Sequence, residues 1–178
     1  MGLLGSDGYS TKPTKYRYLR NLDLVDGEIK IGSVKFISEG QHESIERYQV
    51  FENEIVITIA GTVGKLSLIP KQLEICNVTE NLAVIPPKAS IVPKYLLYLL
   101  SSSIVQIQIQ KEMSELRQQK LGLAKVRNLR IPKPPSRKGQ LEMADAISEE
   151  IDKMRDRKEK VQDLLSRAIM TVEGAVSF

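Results

Sequence analysis

"IVITIAGTVGKLSLIP", residues 55–70, places two apolar runs on either side of Gly61-Thr62-Val63-Gly64-Lys65. The pentapeptide is either a phosphate-cradling loop or the turn of a hairpin. A P-loop keeps four residues between its glycines, follows its lysine with Ser or Thr, and opens a helix. Here only Thr62 and Val63 intervene, Leu66 follows Lys65, and "LSLIP" has the composition of a strand. The stretch therefore predicts a tight strand–strand connection in which glycine supplies positive φ. It argues against a nucleotide-hydrolysing enzyme.

The neighbouring sequence extends this β-rich reading. "NLAVIPP" (residues 81–87) predicts a third strand, and residues 9–40 are extended and turn-rich, with Asp26-Gly27 as a turn signal. The period changes at Pro93. "PKYLLYLLSSSIVQIQIQKEM" carries Tyr95, Leu96, Leu99, Leu100 and Ile104 at helical spacing behind a proline suited to a first helical position. After Gly122, "VRNLRIPKPP" predicts a short strand ended by prolines. The expected fold class is α+β, a β-rich globular domain over residues 1–138.

Residues 139–171 differ in kind, and a tail follows over 172–178. Residues 140–169 contain neither Gly nor Pro, and Ala144, Ile147, Ile151, Met154, Lys158, Val161, Leu165 and Ala168 repeat at gaps of 3 and 4. That is the a/d pattern of a coiled coil, with Lys158 as a charged break that selects register or partner. Such a seam needs a partner helix. A second chain would supply it, or the chain's own domain would supply part of it.

With 178 residues, 42% hydrophobic and 27% charged, the chain has the composition of a globular protein with one domain and an extension. A net charge of +4 is compatible with nucleic acid and does not establish it. One cysteine, Cys76, and one histidine, His42, leave no disulfide and no Cys- or His-rich metal site, so no metal or cofactor is expected. The expected setting is a reducing cytoplasm, with no membrane span. Cys76 lacks a credible base other than His42, Glu52 and Glu54 have the spacing of a solvated strand face, and the charges of residues 149–158 alternate as on a solvated helix. No catalytic site is predicted.

Basic residues cluster instead. "STKPTKYRYLR" brings Lys12, Lys15, Arg17 and Arg20 among tyrosines, and "LRQQK" brings Arg117, Gln118 and Lys120 together before Gly122. Lys and Arg neutralise phosphates, and Arg and Gln pair with base edges. Thr62 and Lys65 at the glycine turn, and Asn81 with Asn77 and Thr79, are further DNA candidates; turn stabilisation is the competing role for these.

The order of pieces resembles a known family. "FENEIVITIAGTVGKLSLIP", "VTENLAVIPPKASIVPKYLLYLLSSS" and "LGLAKVRNLRIPKPPSRKGQLEMADAI" are similar, in sequence and order, to the target recognition domain and conserved helix of Type I restriction–modification specificity subunits. The pattern departs at Gly139-Gln140, where family members usually have Glu-Gln, and only one domain and one helix are present, as in a half subunit or a fragment. The resemblance implies a non-catalytic, double-stranded DNA-binding protein that reads one half of a split target. It implies docking of modification (methyltransferase) subunits, and through them a restriction subunit; the modification partners would hold S-adenosylmethionine. It also implies a homodimer through the C-terminal helix. The competing reading is a coiled-coil dimeric adaptor that binds no DNA.

Overall fold

The computed structural model describes residues 3–4, 8–25, 27–115 and 120–175. Among the described residues, nine strands precede or interleave with five α-helices. The first half contains β1 (Arg17–Leu19), β2 (Leu24–Val25), β3 (Glu28–Ile29), β4 (Lys35–Phe36), α1 (Glu39–Ser44) and β5 (Gln49–Val50). Then follow β6 (Ile55–Thr58), β7 (Leu66–Leu68), β8 (Cys76–Val78), β9 (Leu82–Ile85), α2 (Pro93–Ser101), α3 (Ser103–Glu115), α4 (Leu123–Arg127) and α5 (Arg137–Ala175). The α+β class read from the sequence is the class observed.

The strands form a four-stranded sheet in the order β4-β1-β8-β5, a β2–β3 ribbon and a three-stranded sheet in the order β7-β6-β9. In the first sheet β1 runs parallel to β8, with Tyr18 opposite Asn77. In the last, β6 is antiparallel to both neighbours, with Val56 opposite Ser67 and Val84.

The alternation of side chains along β6 organises the core. Ile55 and Ile57 pack with Leu96 and Leu100 of α2 and Val105 and Ile109 of α3. Val56 points the other way, into a cluster with Leu19, Val50, Cys76 and Val78 of the four-stranded sheet. Successive residues of a strand face opposite sides, so a strand apolar at every position is one covered on both faces. Each such fully buried aliphatic contributes about 1.5–3 kcal/mol.

Two local expectations are corrected. The predicted helix from Pro93 is two helices, broken at Ser102, whose ψ of 155° is extended. Ser101 Oγ and Ser102 Oγ donate to the Leu97 and Leu99 carbonyls at 2.8 and 2.6 Å. These side-chain bonds compete with continuation of the helix. The predicted strand at residues 126–135 is absent. α4 takes its first two residues, and beyond them the Arg130 backbone is held by a side chain. Arg130 N donates to Gln108 Oε1 at 2.9 Å and Gln108 Nε2 donates to the Arg130 carbonyl at 2.8 Å. One carboxamide thus stands in for a neighbouring strand.

α5 begins two residues ahead of the expected start. Ser136 accepts from Gly139 N through Oγ at 3.3 Å, an N-cap bond. No helix among the described residues is long and apolar enough to cross a membrane.

Candidate nucleic-acid interface

Thr58 closes the β6–β7 turn. Its hydroxyl donates to the Thr62 carbonyl at 2.5 Å and accepts from Lys65 N at 2.9 Å. Gly64 N donates to the Thr58 carbonyl at 2.9 Å. Gly61 and Gly64 have φ of 74° and 93°, values that side chains other than glycine's rarely adopt. The Gly64 and Lys65 amides that a P-loop would aim at a phosphate are committed inside the turn. The stretch is a hairpin connection, as its spacing predicts.

A second rigid turn lies against it. Arg20 donates to Asp23 from its backbone N (2.9 Å), Nε (3.1 Å) and Nη2 (2.8 Å), and from Nη2 to the Ser33 carbonyl at 3.0 Å. Ser33 Oγ donates to the same carboxylate at 2.7 Å. Asp23 is fully buried, and the 3-10 turn Asn21–Asp23 that it closes leaves Leu22 74% exposed. A Cβ placed on Gly61 would lie 3.2 Å from Asn21 Nδ2, so the two turns touch. Residues 79–81 join them: Ile59 N donates to the Asn81 carbonyl at 2.8 Å, and Thr79 Oγ1 accepts from Asn81 N at 3.2 Å. Lys120 arrives through a bridge to Ala60.

One end of the molecule therefore gathers Arg20, Thr62, Asn81 and Lys120 from four separate stretches. It holds a concavity of about 400 Å³ lined by Tyr9, Arg20, Asn21, Leu22, Glu80 and Asn81, among others. Asn21, Leu22 and Glu80 had no place among the residues singled out from sequence. "RNLD" did carry a signal, a lone leucine between two turn-forming residues.

Other candidates lie elsewhere. Lys12 is exposed in the loop ahead of β1, and Lys15 sits 3.6 Å from Glu39 and over the Tyr16 ring. The Arg17 guanidinium stacks 4.1 Å over Phe36. Lys65 lines a different concavity, with Gly27, Ser101 and Gln106. Asn77 is closed within the protein: Oδ1 meets His42 Nδ1 at 2.7 Å and Nδ2 donates to the Ile45 carbonyl at 3.0 Å. Arg117 and Gln118 lie outside the described residues, as does Asp26.

The sole cysteine is buried, and burial pushes the Cys76 thiol up to about 12. Among the described residues no group of three or more His, Cys, Asp or Glu side chains is placed to hold a metal ion.

α5 docks on the domain from Gln140 to Arg155. Gln140, 2% exposed, accepts from Val92 N at 2.8 Å and donates to the Pro135 and Ser90 carbonyls at 3.0 and 3.3 Å. Ala144 packs on Val92 and Tyr95, so this seam residue is already covered by its own domain. Tyr98 Oη meets Ser148 Oγ at 3.0 Å, and Arg155 pairs with Glu28 of β3 at 2.8 Å. The rest of the seam faces outward: Ile147, Met154, Val161 and Leu165 are exposed, and Ile151 lies half-buried beside the cleft under the helix. Lys158 and Ala168 are also exposed.

A family described as Type I restriction modification DNA specificity domain matches residues 8–163. The Type I restriction enzyme EcoBI specificity subunit of Escherichia coli is 28% identical over 117 residues, 65% of this chain and 24% of that subunit. A chain from a study titled "Structural basis underlying complex assembly and conformational transition of the type I R-M system" has a similar fold. Its TM-score is 0.64 at 14% identity, over 91% of this chain and 38% of that one. The HsdS subunit from Thermoanaerobacter tengcongensis gives 0.53 at 17% identity, over 90% of this chain and 35% of that one. This chain thus spans well under half the length of these relatives. With the family match running from ahead of β1 into the projecting part of α5, the chain belongs to the Type I restriction modification DNA specificity domain family.

Proposed function

We propose that this chain is a DNA sequence-recognition subunit of a Type I restriction–modification system. Its globular domain reads one half of a split target. Its α5 helix docks methyltransferase subunits and pairs with a second copy. The observation that carries this reading is the division of labour along the chain. Polar loop residues from four stretches meet at one end of the domain, while α5 presents exposed apolar residues beyond the domain.

Lys12, Lys15, Arg17, Lys65 and Lys120 are assigned to backbone phosphates, with Thr62 and Asn81 nearer the bases. Arg117 and Gln118 keep their assignment from sequence alone. Arg20 is assigned to holding its turn, because its guanidinium is committed to Asp23 and Ser33. The chain itself carries no reaction. Methylation belongs to the modification partners and cleavage to a restriction subunit, in the cytoplasm. Pairing through α5 would be isologous, so two identical half-sites would form a palindromic split motif.

The test is co-expression with a Type I modification subunit encoded beside it, followed by methylation-sensitive sequencing of host DNA. The expected result is methyladenine in a palindromic split motif. An assembled complex that adds no methylation anywhere would overturn the proposal.

A further inference from the structure

The concavity beside the Gly61 turn has the wrong chemistry for phosphate. Arg20, the one cation among the lining residues described, is neutralised by Asp23 and turned onto the Ser33 carbonyl. Beside the hydroxyl-bearing Tyr9, Tyr18 and Thr79, the lining carries the Asn21 and Asn81 carboxamides and the Glu80 carboxylate. Among the described residues none of the last three side chains makes a side-chain hydrogen bond or ion pair. A carboxylate repels a phosphodiester and accepts hydrogen bonds from an exocyclic amine. A carboxamide pairs bidentately with N6 and N7 of adenine, and an apolar side chain contacts the thymine methyl. Leu22 supplies that apolar group on a turn pinned by the buried Asp23 carboxylate, which accepts from four donor atoms of Arg20 and Ser33.

Resting on the DNA-recognition reading above, we infer that Asn21, Leu22 and Asn81 are sequence-specificity residues that read an A·T-containing step in the major groove. Asn21 and Asn81 address adenine, Leu22 addresses the thymine methyl, and Glu80 keeps the phosphate backbone out. The tip is thus a base-reading surface, flanked by Lys120 for the backbone. Its stiffness is part of the reading. A turn fixed by a buried carboxylate presents its amides without losing rotational freedom in the backbone on binding.

The test is selection from a randomised duplex library by the full chain in complex with its modification subunit. Wild type is compared with Asn21→Ala, Leu22→Ala, Asn81→Ala and, as a backbone-contact control, Lys120→Ala. Each asparagine variant is expected to lose roughly tenfold or more of the preference for adenine at one position, with the other positions intact. Leu22→Ala is expected to lose preference for thymine over cytosine at one position. Lys120→Ala is expected to weaken all sequences alike and to lower the salt slope by about one. If all three tip variants keep the wild-type preference at every position, or weaken all sequences alike, the inference is overturned and the recognition reading stands. If wild type selects no motif, the recognition reading falls and this inference falls with it.

Discussion

Asp23 and Thr58 are both fully buried, and each closes a turn with bonds to residues no more than ten positions away. Asp23→Ala leaves the Arg20 guanidinium, which is largely buried, without its counter-charge. A broken buried pair costs about 3–5 kcal/mol, and chemical denaturation of the variant should show a loss of that size. Gly64→Ala forces φ of 93° on a side chain and puts its Cβ 3.0 Å from Gln106 Oε1. It should destabilise the protein by about 1–3 kcal/mol, again read by denaturation. Cys76 gives a pH signature. Its thiol titrates at about 12 when folded, against 9.0 ordinarily, because burial disfavours the thiolate. The unfolded chain then loses this proton first as pH rises, so the thiol's contribution to stability is intact below pH 9 and is lost between about 9 and 12. Unfolding free energy measured across that range should fall with pH, and Cys76→Ala should flatten part of the slope. The native thiol should resist alkylation at neutral pH and react once the chain is denatured.

At the scale of elements, Gln140 fastens α5 to the start of α2. Gln140→Ala strands a buried Val92 N–H, at a cost of about 1–3 kcal/mol; thermal melting followed by near-ultraviolet circular dichroism should report it. The family pattern retained at this position has a physical reason, whereas Gly139 beside it is only half-buried against Pro135. The contrast shows what the sequence made legible. β6 and β9 declared themselves through runs of Val, Ile, Leu and Ala, β7 through its leucines on either side of Ser67, and the Gly61 turn because its glycines had nowhere else to belong. The break at Ser102 and the missing strand after Gly122 escaped because both depend on side-chain hydrogen bonds, Ser to a carbonyl one turn back and Gln108 across to Arg130. Periodicity carries no trace of such bonds. The candidate interface was half legible for the same reason. Lysines and arginines stand out in a sequence, but Arg20 is spent on Asp23, and Asn21 and Leu22 gain their position only when Gly61 folds against them.

For the whole molecule, α5 is a helix of 39 residues, roughly 60 Å long at 1.5 Å per residue. Its hydrogen bonds and ion pair to the domain described above run from Gln140 to Arg155. Val161→Asp with Leu165→Asp should abolish self-association in sedimentation experiments and leave the domain's melting temperature unchanged, because both side chains are exposed in the single chain. Loss of the domain's fold in this variant would contradict the assignment of that face to a partner.

The parallel pairing of β1 with β8 also governs the order in which the protein can be born. β1 can pair with β4 as soon as both have emerged, but on its other edge Tyr18 waits for Asn77. At about 5–20 residues per second, the β1–β8 pair first becomes possible several seconds into synthesis. The stretch that makes α5 is translated after each of the nine strands described. A nascent chain therefore has all of these strands before it possesses the surface proposed to recruit partners.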